Sequence, residues 1–490
     1  MLTKVLLLSF AFPNRWSGIS VALAQSARGT SSSVVSSTTS TPSSTSIPTT
    51  TSFPSIGSLP RDYTPEGLEQ LWDIVGPVEP PPFTTTRVPS AAVTLPPSPP
   101  PLYPSFYVPA TKDILPDLKF PKGFKYGVAT AAYQVEGATK NEGKGPTMWD
   151  LASRQPNGVF DNSTGDIVDL HYFLYKEDVE RSPALGVTAH SFSISWARIY
   201  PFSAADSPIN TAGIDRYSDV IDYHLAHGVE PVVTLFHWDT PLALQAYYGA
   251  FTSPEIVNDF VKGTPWRSNS TEDILAVERH AAFQLGLFAN PIYTTGDWPD
   301  IVKQRSPPNT SRASPTRKRA PDEGIDACIA NPSHPLWPVC NEPVYFDSDY
   351  GWPEGPAGDP AATSLQTTPV AIRALLKEIY TRWPSDKMYI SEFGCIEPFA
   401  YANADISQIK EDVGRTDYLL TYLGEMLLSI HEDGVPIQGA FAWAMIDDAE
   451  WQGGTSVRFG IQHVDYTTLE RTYKRSALSL AEFFGSHLQD

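Results

Sequence analysis

With 490 residues, 41% of them hydrophobic, the chain is long enough to bury a large core and leaves room for more than one domain. A formal charge of -20 disfavours nucleic-acid phosphates and anionic membrane surfaces, whose affinity rests on Lys and Arg contacts, and leaves a neutral ligand as the better fit. Three cysteines exclude a disulfide-dense scaffold.

Residues 1–24 carry Lys4, an apolar run from Val5 to Phe12 and then Ala22-Leu23-Ala24, the layout of a secretory signal cleaved before Gln25. Pro13, Asn14 and Arg15 interrupt that run, so a disordered start or a misread first exon is the competing reading. Residues 25–60 form a Ser/Thr-rich stalk: 18 of the 23 residues from Thr30 to Ser52 are Ser or Thr, a composition that cannot build a core and suits O-glycosylation. Within 61–117, Thr64 and Pro65 open a short helix whose Leu68, Leu71, Trp72 and Val75 share one face before Gly76. A Pro-rich, extended arm follows, with 11 prolines among the 28 residues from Pro77 to Pro104. No other stretch is apolar enough to span a membrane, and the chain is expected to be secreted, extracellular or associated with the cell wall. Asn162, Asn269 and Asn309 head glycosylation triplets in that setting.

The body, 118–490, alternates β-rich runs with helical stretches. Strands are expected at Lys125 to Ala129, Ala189 to Trp196, Glu230 to Trp238, Lys387 to Phe393 and Ile437 to Trp443. Helices are expected at Tyr172 to Ser182, Ile214 to His227, Val370 to Arg382 and Arg415 to His431. Such alternation implies a parallel α/β architecture, and periodicity does not choose between a barrel and a doubly wound sheet. Cys328 and Cys340 have a spacing compatible with one bridge, and Cys395 reads as buried packing. No His, Cys and Asp cluster has metal-ligand spacing, and no cofactor is expected.

Phe124 to Gly137, FKYGVATAAYQVEG, resembles the N-terminal signature of glycoside hydrolase family 1, the β-glucosidase family. Gly145 to Asp150, Phe192 to Trp196 and Leu235 to Asp239 follow in the family's order, and Phe441 to Trp443, Asp447 to Trp451 and Arg458 to Gly460 resemble its closing segment. The resemblance implies a (β/α)8 TIM barrel. It also implies retaining hydrolysis of a terminal β-D-glucosyl residue, on a β-glucoside or a short β-linked oligosaccharide. Glu392, in YISEFG, resembles the nucleophile at the end of the seventh strand. Gln134, His237, Trp238, Glu450 and Trp451 resemble the groups that bind the glycone, with Trp443 stacking beneath it and Phe459 closing the rim. Taken singly, each aromatic among them reads as core.

The resemblance also identifies what is missing. After Ile256 to Val261 the family runs into a fourth strand ending in Asn-Glu-Pro, whose Glu is the general acid/base; here the chain passes from Gly263-Thr264-Pro265-Trp266 to Arg279 to Phe283 and Asn290 to Tyr293, which resemble a later part of the family. A second gap covers Ser306 to Pro321, so strands four to six are missing or altered and the barrel is incomplete. The Arg that pairs with the family's nucleophile is replaced by Ser191. Asn341-Glu342-Pro343 spells the lost motif in a Pro-rich loop out of order, a chance spelling. A retaining glycosidase needs two carboxyl groups roughly 5 to 5.5 Å apart. One is in place, so the alternatives are an inactive sugar-binding homologue and a residual glycosidase limited to activated substrates.

Overall fold

The computed structural model describes residues 7–8, 57–100 apart from 58, 87 and 89–92, 117–263, 317–319, 341–343, 367–382, 384–397 and 405–489. Its strands in chain order are β1 (Leu7–Leu8), β2 (Lys125–Ala129), β3 (Ala189–Ser193), β4 (Glu230–Thr234), β5 (Arg317–Arg319), β6 (Asn341–Pro343), β7 (Met388–Phe393), β8 (Ile437–Trp443), β9 (Gln462–Val464) and β10 (Arg471–Tyr473). One sheet runs β1-β7-β8-β2-β3-β4, parallel throughout. Each of the five strands expected from the sequence is present. Parallel neighbours require a crossover, and the long helices supply it: His171–Ala184 and Thr211–Ala226 lead from β2 through β3 to β4, and Val413–Asp433 joins β7 to β8. The described residues form part of a (β/α)8 barrel.

Close packing fixes the register at the centre. A Cβ on Gly127 would lie 2.1 Å from the Phe441 ring, so only glycine lets β2 lie against β8 there. The pairs then run from Lys125↔Gly439 to Ala129↔Trp443. Between β7 and β8 the register slips: Ile390 faces Ala440 but Phe393 faces Ala442, leaving one extra residue in the Ser391–Glu392 interval. Such a bulge re-aims the side chain it carries. The main core joins Tyr126, Val128, Ile390, Leu423, Leu427, Ile437 and Phe484, the apolar faces of the strands and of the two C-terminal helices.

The helix expected after Thr64 spans Pro65–Val75, and the Thr64 side chain accepts from the Gly67 amide. It packs Leu71 on Phe202, Ala243 and Ala246, and Trp72 and Val75 on Leu151 and Leu242. The Trp72 indole donates to the Lys144 carbonyl at 3.1 Å. The Pro-rich arm beyond is also tied down: Glu79 N donates to Asp166, Arg154 to the Pro77 carbonyl and Arg475 to the Pro100 carbonyl.

A second compact unit comprises 10–53 and 311–352. Within it β5 and β6 pair antiparallel, Lys318 opposite Glu342. The sequence reading of Asn341-Glu342-Pro343 as loop is corrected to a three-residue strand, and its antiparallel pairing differs from that of a barrel strand. The stalk, Cys328, Cys340, Asn269, Asn309 and the stretch from Arg279 to Tyr293 lie outside the described residues. Cys395 is a free, buried thiol. Among the described residues no helix is long and apolar enough to cross a membrane.

Candidate active site

Parallel strands end on the same side, and the ends of β2, β4, β7 and β8 deliver most of the candidate residues together, as in barrels generally. Glu392 projects from the β7 bulge. His237, three residues beyond β4, places Nε2 at 3.8 Å from Glu392 Oε1. The His237 ring lies 5.5 Å from that of Trp443, the last residue of β8, and 5.9 Å from that of Trp451. Close approach is again enforced by glycine, since a Cβ on Gly394 would sit 2.0 Å from the Trp443 carbonyl.

Gln134 follows β2 and is fully buried. Its Nε2 donates to Glu450 Oε2 at 3.2 Å and to Asp448 Oδ1 at 3.4 Å. Phe459 packs with Trp443, Ala129 and Trp451 in one apolar cluster, and its carbonyl accepts from the Ala444 amide. Trp238 stands 49% exposed beside His237, with a φ of 65° that turns the chain away at that point. Two aromatics that sequence reasoning did not assign to the site lie against Trp451. Trp149 lies 5.0 Å from Trp451 between ring centroids, and Tyr133 stacks on Trp451 at 6.2 Å. Both lie in quoted motifs, but an aromatic letter does not distinguish floor from core.

The loop from Ala444 to Gly460 is held by one carboxylate. Asp447 accepts from Lys474 Nζ at 2.6 Å, Arg458 Nη1 at 3.0 Å, the Gly460 amide at 3.0 Å and His463 Nδ1 at 3.2 Å. Burial opposes its charge, but Lys474, His463 and Arg458 hold it well below the usual carboxylate range. Glu392 is in the opposite position. Burial, then the charge of Glu450, pushes its carboxyl up to about 8, and among the described residues no cation offsets this. Burial takes His237 down to about 4, so near neutrality its imidazole is uncharged. Ser191, where the family's Arg is expected, is buried within β3 between Ala129 and Val232. Glu450 is the one carboxylate among the described residues whose charge bears on Glu392.

The family model of glycosyl hydrolase family 1 matches residues 117–265 and 347–487. The match leaves out 266–346, a wider interval than the two gaps read from the sequence, and so excludes Arg279 to Phe283 and Asn290 to Tyr293. Beta-glucosidase 4 of Oryza sativa subsp. japonica is 30% identical over 463 residues, covering 74% of this chain and 94% of that one. The solved β-glucosidase of Trichoderma harzianum superposes with a TM-score of 0.61 at 25% identity, over 78% of this chain and all of that one. A family 1 β-glucosidase of the fungus Humicola insolens, solved in complex with glucose, gives 0.60 at 25% identity over 76% and 99%.

Proposed function

The chain belongs to glycosyl hydrolase family 1, and on that premise we propose that Glu392, Gln134, His237, Trp238, Trp443, Glu450, Trp451 and Phe459 form a glucosyl-binding site in which Glu392 is the nucleophile. The protein is a β-glucosidase-like glycoside hydrolase, and its substrate is a β-glucoside. The observation that carries the site reading is the convergence of Glu392, His237, Trp443 and Trp451 at one end of the parallel sheet. The glucose bound to the Humicola insolens enzyme supports glucose as the glycone.

Glu392 would attack the anomeric carbon while the bond to the aglycone oxygen breaks, leaving a glucosyl ester that water or another nucleophile then opens with net retention. Attack needs the ionised form. With the carboxyl near 8, most of it carries a proton at neutral pH, so the reaction is expected to accelerate as pH rises through about 8. Leaving-group protonation would come from a strand that the family places after β4. Without it, only aglycones that depart unprotonated react.

An activated aryl glucoside offered with azide tests this directly. Aryl release with formation of β-glucosyl azide, faster at pH 8 than at pH 6 and abolished by Glu392→Gln, is expected. Absence of both release and a covalent adduct at Glu392 leaves the sugar-binding reading, which the missing acid/base strand favours and which glucose calorimetry tests. Sequencing the transcript across the codons for Phe260 to Thr271 and Arg305 to Gly324 shows whether a longer message restores that strand. Residues 1–24 are read as a leader, whose cleavage would take the two-residue strand β1 off the edge of the sheet beside β7, and 25–60 as a glycosylated stalk of an extracellular or wall-associated protein; the exposure of Asn162 supports a glycan there. A secreted product beginning at Gln25 and losing mass on deglycosylation is expected.

A further inference from the structure

Asp448 has no part in the reaction above, yet it is bonded to one of the groups that would hold the sugar. Its side chain is fully buried, and Oδ1 accepts from Gln134 Nε2 while Oδ2 has no hydrogen-bond partner. Gln134 is equally buried, and its Oε1 has no hydrogen-bond partner either. The backbones of the two segments are joined, Ala449 N donating to the Gln134 carbonyl at 3.0 Å, and the Tyr466 hydroxyl fixes the Asp448 carbonyl at 3.0 Å.

We propose that Asp448 is a positioning residue for the glycone: it accepts from Gln134 Nε2 and thereby turns Gln134 Oε1 toward a sugar hydroxyl. This rests on the reading of Gln134 and Glu450 as glycone-binding groups. An amide can turn over about its last torsion and exchange its donor for its acceptor with almost no change of shape, so its neighbours decide what it presents. Glu450 alone is a poor guide, because a sugar hydroxyl donating to Glu450 competes with Gln134 for the same carboxylate. Asp448, out of reach of solvent, keeps its contact when the sugar arrives. Turned over, the amide would set its oxygen against two carboxyl groups and leave Nε2 without an acceptor, a buried loss that is hard to offset.

The neighbouring aspartate does different work. Asp447 is ionised and ringed by Lys474, Arg458 and His463, whereas burial, followed by Glu450, pushes Asp448 well above the usual carboxylate range. With its proton on the unpartnered Oδ2, the neutral acid keeps Oδ1 as a carbonyl acceptor for Gln134 and adds no second charge beside Glu450. Asparagine offers the same acceptor in the same volume, which separates the proposal from a purely structural role.

The experiment is glucose binding to the full chain by calorimetry. Asp448→Ala is expected to weaken binding about tenfold, the effect of one buried hydrogen bond and the orientation it fixes. Asp448→Asn is expected to bind within about twofold of the unaltered chain, its side-chain carbonyl retaining the acceptor. In a Gln134→Ala background, Asp448→Ala should add nothing. Asp448→Val, which removes the acceptor while filling the space, repeats the test if the alanine variant does not fold, with thermal melting as the check. Losses that add in the double variant, or an asparagine variant as weak as the alanine or valine one, overturn the proposal. No glucose binding by the unaltered chain instead overturns the glycone reading itself, and this inference with it.

Discussion

β8 and β4 run parallel in one sheet and point at the same site, yet they are held in opposite ways. β8 has β2 on one side and β7 on the other, is buried over nearly its whole length, and passes into a loop locked by Asp447. β4 pairs with β3 alone among the described residues; Glu230 is exposed and the rest of the strand is only half buried. The comparison separates two parts of one chemistry. The proposed sugar floor grows from the enclosed side of the sheet, and the family's acid belongs to a strand beyond β4. What the described residues do not supply therefore lies beyond an edge strand, and that strand meets the cluster of Trp443 and Phe459 only through the partly buried Val232.

The strongest test of the enclosed side is Asp447→Ala. It strands the Lys474 ammonium, 1% exposed, without its partner and removes the acceptor for Arg458, His463 and the Gly460 amide. Breaking a buried pair in this way costs about 3–5 kcal/mol. Urea unfolding should show that loss together with disappearance of glucose binding, since the loop carries Glu450, Trp451 and Phe459. A cost under about 1 kcal/mol, the level of a surface pair, would remove the contrast between the two sides.

Glu392, on the β7 bulge, should respond in the opposite sense. Its carboxyl is raised from an ordinary 4.5 to about 8, so the folded chain favours the protonated form. The stability this contributes is fully present below about 4.5 and is lost as pH rises through about 8. Glu392→Gln is therefore expected to stabilise the protein by up to about 4 kcal/mol at pH 8, and to change little at pH 4, as the proposed nucleophile is lost. Melting curves at the two pH values measure it. Equal effects at both would show that a cation from elsewhere in the chain serves the carboxylate.

The sequence carries much of this arrangement and misses particular parts for physical reasons. Five strands and four long helices were legible from β-branched and aromatic runs and from helical periodicity, as was the Thr64 cap. The docking of Pro65–Val75 was legible only as a need, because the surface that meets Trp72 comes from Lys144, Leu151 and Leu242, dozens of residues away. The residues of the proposed site were named from the ordered motifs, and the structure brings most of them to one end of the sheet. Their electrostatics were not, since the two aspartates 447 and 448 are the same letter and differ only in what surrounds them. The bulge at Ser391–Glu392 depends on how β7 pairs with β8, which no local pattern encodes.

The smallest expected effect bears on the open side. Val232, in the middle of β4, is partly buried against the cluster that holds Trp443 and Phe459. A fully buried valine contributes about 1.5–3 kcal/mol through the surface it removes from water, and one half-covered contributes in proportion. Val232→Ala should cost about 1 kcal/mol, against several for a change within β8 such as Phe441→Ala, which empties a 2%-exposed site packed on Gly127. Paired urea titrations of the two variants measure the ratio. If Val232→Ala approaches the Phe441→Ala cost, some other part of the chain covers the β4 edge, and that covering segment becomes the place to seek the second carboxyl. If the ratio holds, the edge is open in solution, and the floor of the site stands without it.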